Sequence, residues 1–247
     1  MKNTLLEQHV DQYLNSQQFK DYAPNGLQVE GRETVKRVVT GVTACQALLD
    51  QAVTLGADAV IVHHGYFWKN EPVVIKNMKR QRLKTLLAND INLYGWHLPL
   101  DAHPEVGNNV QLAKCLGITV TGEIEPYLMK GEFSQALSAQ QLTQLLTERL
   151  NRQPLHCGPE SSGLIKNIAW CTGGAPDFIE RAADAGMDAF ITGEVSERTV
   201  HIARERGIHF FSAGHHATER GGIQALGEWL AQEHGLEVTF IDIENPV

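Results

Sequence analysis

The sequence predicts an α/β protein of two related lobes, each with a mostly parallel sheet, and a metal site between them at the strand C-terminal ends. Three observations carry this expectation. The chain repeats itself without a gap. Apolar strands alternate with amphipathic helices. Histidines and carboxylates cluster directly after those strands.

The repeat pairs residues 36–65 with residues 166–195. Lys36 matches Lys166, Gly56 matches Gly186, Asp58 matches Asp188, Ala59 matches Ala189 and Ile61 matches Ile191. Self-similarity of this kind is a guide to architecture. Each copy opens on a β-rich run, Val38-Val39-Thr40 or Ile168-Ala169-Trp170. An amphipathic helix follows, over about 45–55 or about 176–185, and ends at a glycine, the usual C-terminal stop. Then comes a short apolar strand, Ala59-Val60-Ile61-Val62 or Ala189-Phe190-Ile191-Thr192. Continuous apolar strands between helices indicate parallel strands covered on both faces.

The likeness continues. Residues 91–97 resemble residues 208–215, with one residue inserted, and each run yields a histidine four positions before a carboxylate: His97 with Asp101, His215 with Glu219. Glycine-containing helix starts follow, Gly107-Asn108-Asn109 and Gly221-Gly222. The lobes are expected over 1–125 and 160–247, joined by a connecting segment, 126–159, in which 139–150 reads as a helix.

Composition narrows the class. The 247 residues suffice for one large domain or two small ones, and 43% hydrophobic with 20% charged residues is ordinary for a globular protein. No apolar run approaches the roughly 18 residues of a membrane span. Glu7, Gln8, His9 and Asp11 break up the N-terminus, so no export signal is read and the cytoplasm is expected. Cys45, Cys115, Cys157 and Cys171 form no C-x-x-C pair, which argues against a disulfide framework or a cysteine zinc site. Any metal must use imidazoles and carboxylates. The net charge of −8 opposes general binding to nucleic acid. The basic run 76–84 reads first as a solvated helix face and second as a phosphate-attracting patch.

Four polar clusters end the strands: His63-His64-Gly65, His97 to Asp101, Gly193-Glu194, and Gly214-His215-His216-Ala217-Thr218-Glu219. In open α/β sheets ligands bind beyond the carboxyl ends of strands. Strand alternation would point His63 and His64 to opposite sides unless the chain turns, which Gly65 permits. Coincidence of imidazoles and carboxylates at matching strand ends favours a shared metal site. A single catalytic ion commonly takes three protein ligands plus water, and five or six candidates exceed that, so two divalent ions are expected. Zinc, iron and manganese all suit such ligands. His201 and Glu205 share helical spacing but sit on a charged, exposed-looking helix. His216 reads as a structural neighbour of His215. Pro24-Asn25-Gly26-Leu27-Gln28 reads as a turn before a strand, with a site-lining loop as the alternative. No Gly-rich phosphate loop is present.

At Asn25-Gly26-Leu27-Gln28, Val62-His63-His64-Gly65, His97-Leu98-Pro99-Leu100-Asp101, Gly107-Asn108-Asn109 and residues 214–221 the chain resembles a family named for a yeast Ngg-interacting factor and known as GTP cyclohydrolase 1 type 2 homologs. The motifs run in the family's order over nearly the whole chain, as in a short bacterial member without the domain that longer members insert. The resemblance implies a dinuclear centre with His63, His64, Asp101, His215 and Glu219 as ligands. It also implies a ring-shaped homohexamer. Family members commonly carry proline at the position of Gly65 and a small polar pair at Leu98-Pro99, departures that bear on pocket shape rather than on the ligands.

The chemistry expected is metal-dependent hydrolysis of a nucleotide or related phosphorylated heterocycle. His97 is the candidate for proton transfer, or else a sixth ligand, and Glu194 could orient a ligand or act as a second base. The alternative is a metal-containing ring that binds nucleic acid or a regulatory protein without turnover. Metal storage or delivery is a third reading.

Overall fold

The computed structural model describes residues 1–159 and 163–247. From the N-terminus, α1 (Asn3–Leu14) leads to β1 (Gly26–Val29), β2 (Arg37–Thr43), α2 (Gln46–Thr54), β3 (Ala59–His64), α3 (Asn77–Ala88), β4 (Asn92–Gly95) and α4 (Leu98–Ala102). A second group follows: α5 (Asn108–Leu116), β5 (Ile118–Glu125), β6 (Leu128–Leu137), α6 (Ala139–Leu150), β7 (Leu155–Cys157), β8 (Ile165–Trp170), α7 (Ile179–Asp184), β9 (Ala189–Thr192), α8 (Glu197–Arg206), β10 (His209–Ser212) and α9 (His215–Thr218). The chain closes with α10 (Arg220–His234) and β11 (Glu237–Phe240).

Two compact units result: Met1–Gly107 with Gly222–Glu244, and Asn108–Gly221 with Asn245–Val247. The boundaries expected from the repeat, at 125–126 and 159–160, fall elsewhere, and residue 160 itself lies outside the described residues. Pairing and burial explain the difference. β11 adds in parallel to the edge strand β2, while Ile223, Leu226 and Leu230 of α10 are buried against that first sheet. The segment 118–137 is a hairpin whose second strand pairs with β8.

The first sheet runs β1-β4-β3-β2-β11, parallel except for the β1–β4 pair. Its central strand shows why the sequence is continuously apolar. Ala59 and Ile61 pack with Leu6, Val10 and Leu14 of α1, whereas Val60 and Val62 pack with Leu48, Leu49 and Ala52 of α2. Alternate residues thus serve opposite faces. Each buried branched side chain contributes about 1.5–3 kcal/mol. Trp229 of α10 stacks on Tyr13 of α1, with centroids 4.0 Å apart.

The second sheet runs β5-β6-β8-β9-β10-β7. Its parallel core, β8-β9-β10, is flanked by antiparallel pairs. Both sheets are therefore mixed, not mostly parallel throughout: a tight hairpin forces antiparallel pairing, and short edge strands accept it. The helix expected at 139–150 is α6, started by a capping box between Ser138 and Gln141. The stretch expected as a helix from about 176 opens as a 3₁₀ turn, Pro176–Phe178, before α7. No helix among the described residues is long and apolar enough to cross a membrane.

Candidate metal centre

In the first unit, β3 ends in His63 and His64, β4 leads into His97, and α4 carries Asp101. One ligand atom from each of His63, His64 and His97 lies within 4.8 Å of the others. Strand alternation alone would set His63 and His64 apart, but the two rings lie together. Their ring centroids are 4.4 Å apart, and both rings lie close to His97, at 5.1 and 5.8 Å. His63 is buried and donates from Nδ1 to the Trp96 carbonyl at 3.0 Å. When that ring is neutral its lone pair is on Nε2, which lies 3.4 Å from Asp101 Oδ1. His64 Nδ1 pairs with Thr43 Oγ1 at 3.1 Å.

His97 is oriented by a residue that the sequence reading did not single out. Asp21 Oδ1 accepts from His97 Nδ1 at 2.9 Å, and Asp21 Oδ2 accepts from the backbone N–H of Leu98 at 3.0 Å and from Asn25 Nδ2 at 3.1 Å. Burial alone would raise the Asp21 carboxyl. The bond to His97 and its charge, with Asn25 and Leu98, outweigh burial and hold it at about 2. Asn25 Oδ1 accepts from His97 N at 2.8 Å, so the 24–28 segment is a turn before a strand, as expected, and that turn also borders the candidate site. Gln28 accepts from Tyr66 N at 2.7 Å and lies where a Cβ on Gly65 would stand. That close approach explains the glycine. The signal in sequence was a turn, Asp21-Tyr22-Ala23-Pro24-Asn25-Gly26, whose aspartate side chain binds the next two N–H groups.

In the second unit, Gly193-Glu194 follows β9 and His215 opens α9 after Gly214. Glu194 Oε1 accepts from His215 Nδ1 at 2.6 Å, and His215 Nε2 stands 3.1 Å from Glu219 Oε2. Burial would lower the His215 pKa, but the two carboxylates push it up to about 9. Glu219 is buried, 3% exposed. Gly173, at φ +71°, leaves the space a Cβ would take from Glu219 Oε1, and that Cβ would stand 3.2 Å from His215 Nε2. The loop at Gly173 and Gly174 is a second feature the sequence reading missed; a Cβ on Gly174 would crowd the Glu194 carboxylate at 3.1 Å.

These donor sets suit divalent ions. His63, His97 and His215 each offer Nδ1–H to an oxygen acceptor, which directs Nε2 toward ligation, the arrangement typical of metal-binding imidazoles. Each set pairs imidazoles with a buried carboxylate, Asp101 or Glu219. Of the positions read as lying outside the site, His201 is exposed on α8, 3.8 Å from Glu197, and Glu205 is exposed too. His216 is buried beside His215 and its N–H donates to the Val247 carbonyl. The basic run lies on and just before α3, mostly exposed, as a solvated face.

The sequence profile of Duf34/NIF3 (NGG1p interacting factor 3) matches residues 1–246. The chain belongs to the Duf34/NIF3 family. Within it, a "GTP cyclohydrolase 1 type 2 homolog" of Escherichia coli (strain K12) is 66% identical over the full length of both chains. A solved structure described as protein ybgI, of unknown function, superposes with a TM-score of 0.99 at 66% identity, covering 100% of each chain. The crystal structure of TTHA1606 from Thermus thermophilus superposes with a TM-score of 0.91 at 35% identity, again over 100% of both chains.

Proposed function

We propose that this Duf34/NIF3 member is a dinuclear metal-dependent hydrolase acting on a nucleotide or related phosphorylated heterocycle. His63, His64, Asp101, His215 and Glu219 are the ligands, and zinc, iron or manganese is the metal. The observation that carries the reading is the tethering of Nδ1 in His63 and His215 beside buried carboxylates. An imidazole fixed this way loses little freedom on binding a cation. The names of the relatives support the substrate class.

Two divalent ions would supply activation of water near neutral pH and stabilisation of developing negative charge. The chain's own part is positioning and proton movement. His97 Nε2 bears the lone pair when Asp21 holds Nδ1–H, so His97 takes a proton from the nucleophile or passes one to the leaving group. The imidazolium so formed is stabilised by the Asp21 carboxylate. Glu194 orients His215. Its alternative role, as a second base, is favoured less because its Oε1 is engaged by His215 Nδ1.

We further propose a homohexameric ring in the cytoplasm. The family resemblance supports the ring. Four free cysteines, buried or half-buried, suit a reducing compartment. A second reading, a metal-containing ring that binds nucleic acid or a protein, is favoured by the exposed basic face of α3. The net charge of −8 weighs against it. Elemental analysis joined to a nucleotide-hydrolysis panel tests the proposal. About two metals per chain are expected, with loss in His64→Ala and Glu219→Ala. Metal-free protein would sink it. Salt-sensitive DNA binding on filters without turnover would favour the second reading. Sedimentation reads the oligomer.

A further inference from the structure

Two aromatic side chains, Tyr22 and Trp68, stand beside His97 without joining the core, and Phe67 precedes Trp68 in the chain. Tyr22 is 54% exposed, Phe67 is 37% exposed, and Trp68 is half-buried. The Tyr22 centroid lies 4.9 Å from that of His97 with the planes at 72°; the Trp68 centroid lies 5.1 Å away at 83°. Both rings thus meet the imidazole edge to face. Trp68 is also 6.0 Å from His64 and 5.7 Å from Tyr22.

The two loops that carry these rings are held in place. Lys69 N donates to the Tyr22 carbonyl at 2.8 Å, so the 67–69 turn is tied to the 21–25 turn. Phe67 sits at φ +66°, a conformation that bulky residues avoid. It is retained because Phe67 N donates to Glu71 Oε2 at 2.9 Å and the Lys79 ammonium lies 4.9 Å from the ring centroid. Strain of this kind persists where surrounding bonds over-determine the backbone, and it gathers at ligand sites.

We infer that Tyr22 and Trp68 form a stacking surface for a planar heteroaromatic ring, which makes the ligand of this site a base-bearing molecule rather than a sugar phosphate. Rigid π-faces suit a flat ring of any base and accept it without a specific hydrogen-bond pattern. The proposed metal ions would take a phosphate from a nucleotide and a sugar phosphate alike, so what the two aromatic faces add is affinity for the base. The position is chemically apt as well: a ring stacked here stands beside His97, the proposed proton carrier. The inference rests on the metal-centre reading for its sense of a reacting site, and its test separates the two.

Guanosine monophosphate and ribose 5-phosphate serve as probes, titrated calorimetrically into the full-length, metal-loaded protein. The expected result is that the nucleotide binds roughly tenfold or more tightly than the sugar phosphate, and that Trp68→Ala loses about that factor. Trp68→Phe should keep most of the affinity, and metal content should stay the same in both variants. If Trp68→Ala does not fold, Tyr22→Ala at the exposed neighbouring ring reads the same loss. Equal binding of the two probes, or nucleotide affinity indifferent to position 68, overturns the inference. So does a Trp68→Ala protein that changes its sedimentation but not its nucleotide affinity, since the rings would then be a subunit contact. Protein that takes up no metal yet binds the nucleotide through Trp68 would sink the metal-centre reading and leave the stacking surface standing.

Discussion

Asp21 and His97 are joined at 2.9 Å, and the same carboxylate also holds the Leu98 N–H at the start of α4, the helix that carries Asp101. One side chain therefore sets both the tautomer of the proposed proton carrier and the entry of a proposed ligand helix. Asp21→Asn should cost about 1.5–3 kcal/mol of stability at pH 7, because charge-assisted bonds to a nearly buried group are lost. The sign with pH follows from the depressed carboxyl. Its contribution is present above the ordinary carboxylate value, near 3.9, and is lost as pH falls through about 2. Urea melts of wild type and Asp21→Asn at pH 7 and pH 3 check this: the gap should narrow at the lower pH. A gap independent of pH would remove the charge from the account.

His215 makes metal uptake a competition with a proton. Without metal its pKa is pushed up to about 9, so below that value the imidazolium bridges Glu194 and Glu219. Ligation needs the neutral ring, so binding must release that proton. Apparent zinc affinity should rise about tenfold per pH unit up to about 9 and then level, and zinc addition at pH 7.5 should acidify a weakly buffered solution. The metal-free protein should show the opposite trend. The raised pKa stabilises it fully below the unfolded histidine value, near 6.5, and that stability is lost as pH rises through about 9. Chelator-competition titrations across pH read the first effect; a pH-independent affinity would contradict the bridging arrangement.

Gly173 and Gly186 separate two costs of a methyl group. Both sit at positive φ, +71° and +72°. A Cβ at Gly186 meets nothing within 4 Å, whereas one at Gly173 collides with the Glu219 carboxylate. Gly186→Ala should therefore cost only backbone strain, about 1 kcal/mol in a melt, with metal retained. Gly173→Ala should add a displaced Glu219 and reduce metal affinity by roughly 10–100-fold. Equal metal content in the two variants would argue against Glu219 as a ligand.

Legibility in the sequence tracked the range of the interaction. The strands ending in His63-His64 and preceding Glu194 were readable because three or four consecutive apolar residues between a glycine stop and a polar cluster leave few alternatives. α6 was readable over 139–150 as a helix, and the Ser138–Gln141 capping box that starts it is a local signal of the same kind. The return of α10 and β11 to the first sheet was not, because an amphipathic helix and a short strand do not state which open edge they will cover. Asp21 was hidden for the same reason. Its partner His97 is 76 positions away, and nothing local marks an aspartate in a turn as the one that reaches a histidine. The antiparallel edge formed by β5 and β6 was likewise set by the 118–137 hairpin and not by strand composition.

Asp58 and Asp188, matched in the sequence alignment of 36–65 with 166–195, do similar work in unequal surroundings. Asp58 Oδ2 accepts from Lys36 N and Arg37 N, both at 2.9 Å, and Oδ1 accepts from Arg32 at 2.9 Å. Asp188 Oδ2 accepts from Lys166 N at 3.0 Å and Asn167 N at 2.7 Å. Each carboxylate fastens the start of one strand to the start of its parallel neighbour. Asp58 is buried and carries an extra ion pair; Asp188 is half-buried. Removing Asp58 leaves two N–H donors and a guanidinium without their acceptor, so Asp58→Ala should cost about 3 kcal/mol. Asp188→Ala should cost about 1–2 kcal/mol. Burial would raise the Asp58 carboxyl, but the Arg37 and Lys36 N–H groups and the charges of Arg32 and Arg37 hold it below the ordinary range. Its contribution is therefore present at neutral pH and lost as pH falls below the ordinary carboxylate value. Denaturant melts of both variants at pH 7 check the order, and a cost at Asp188 equal to or above that at Asp58 would show that burial and the Arg32 pair add nothing.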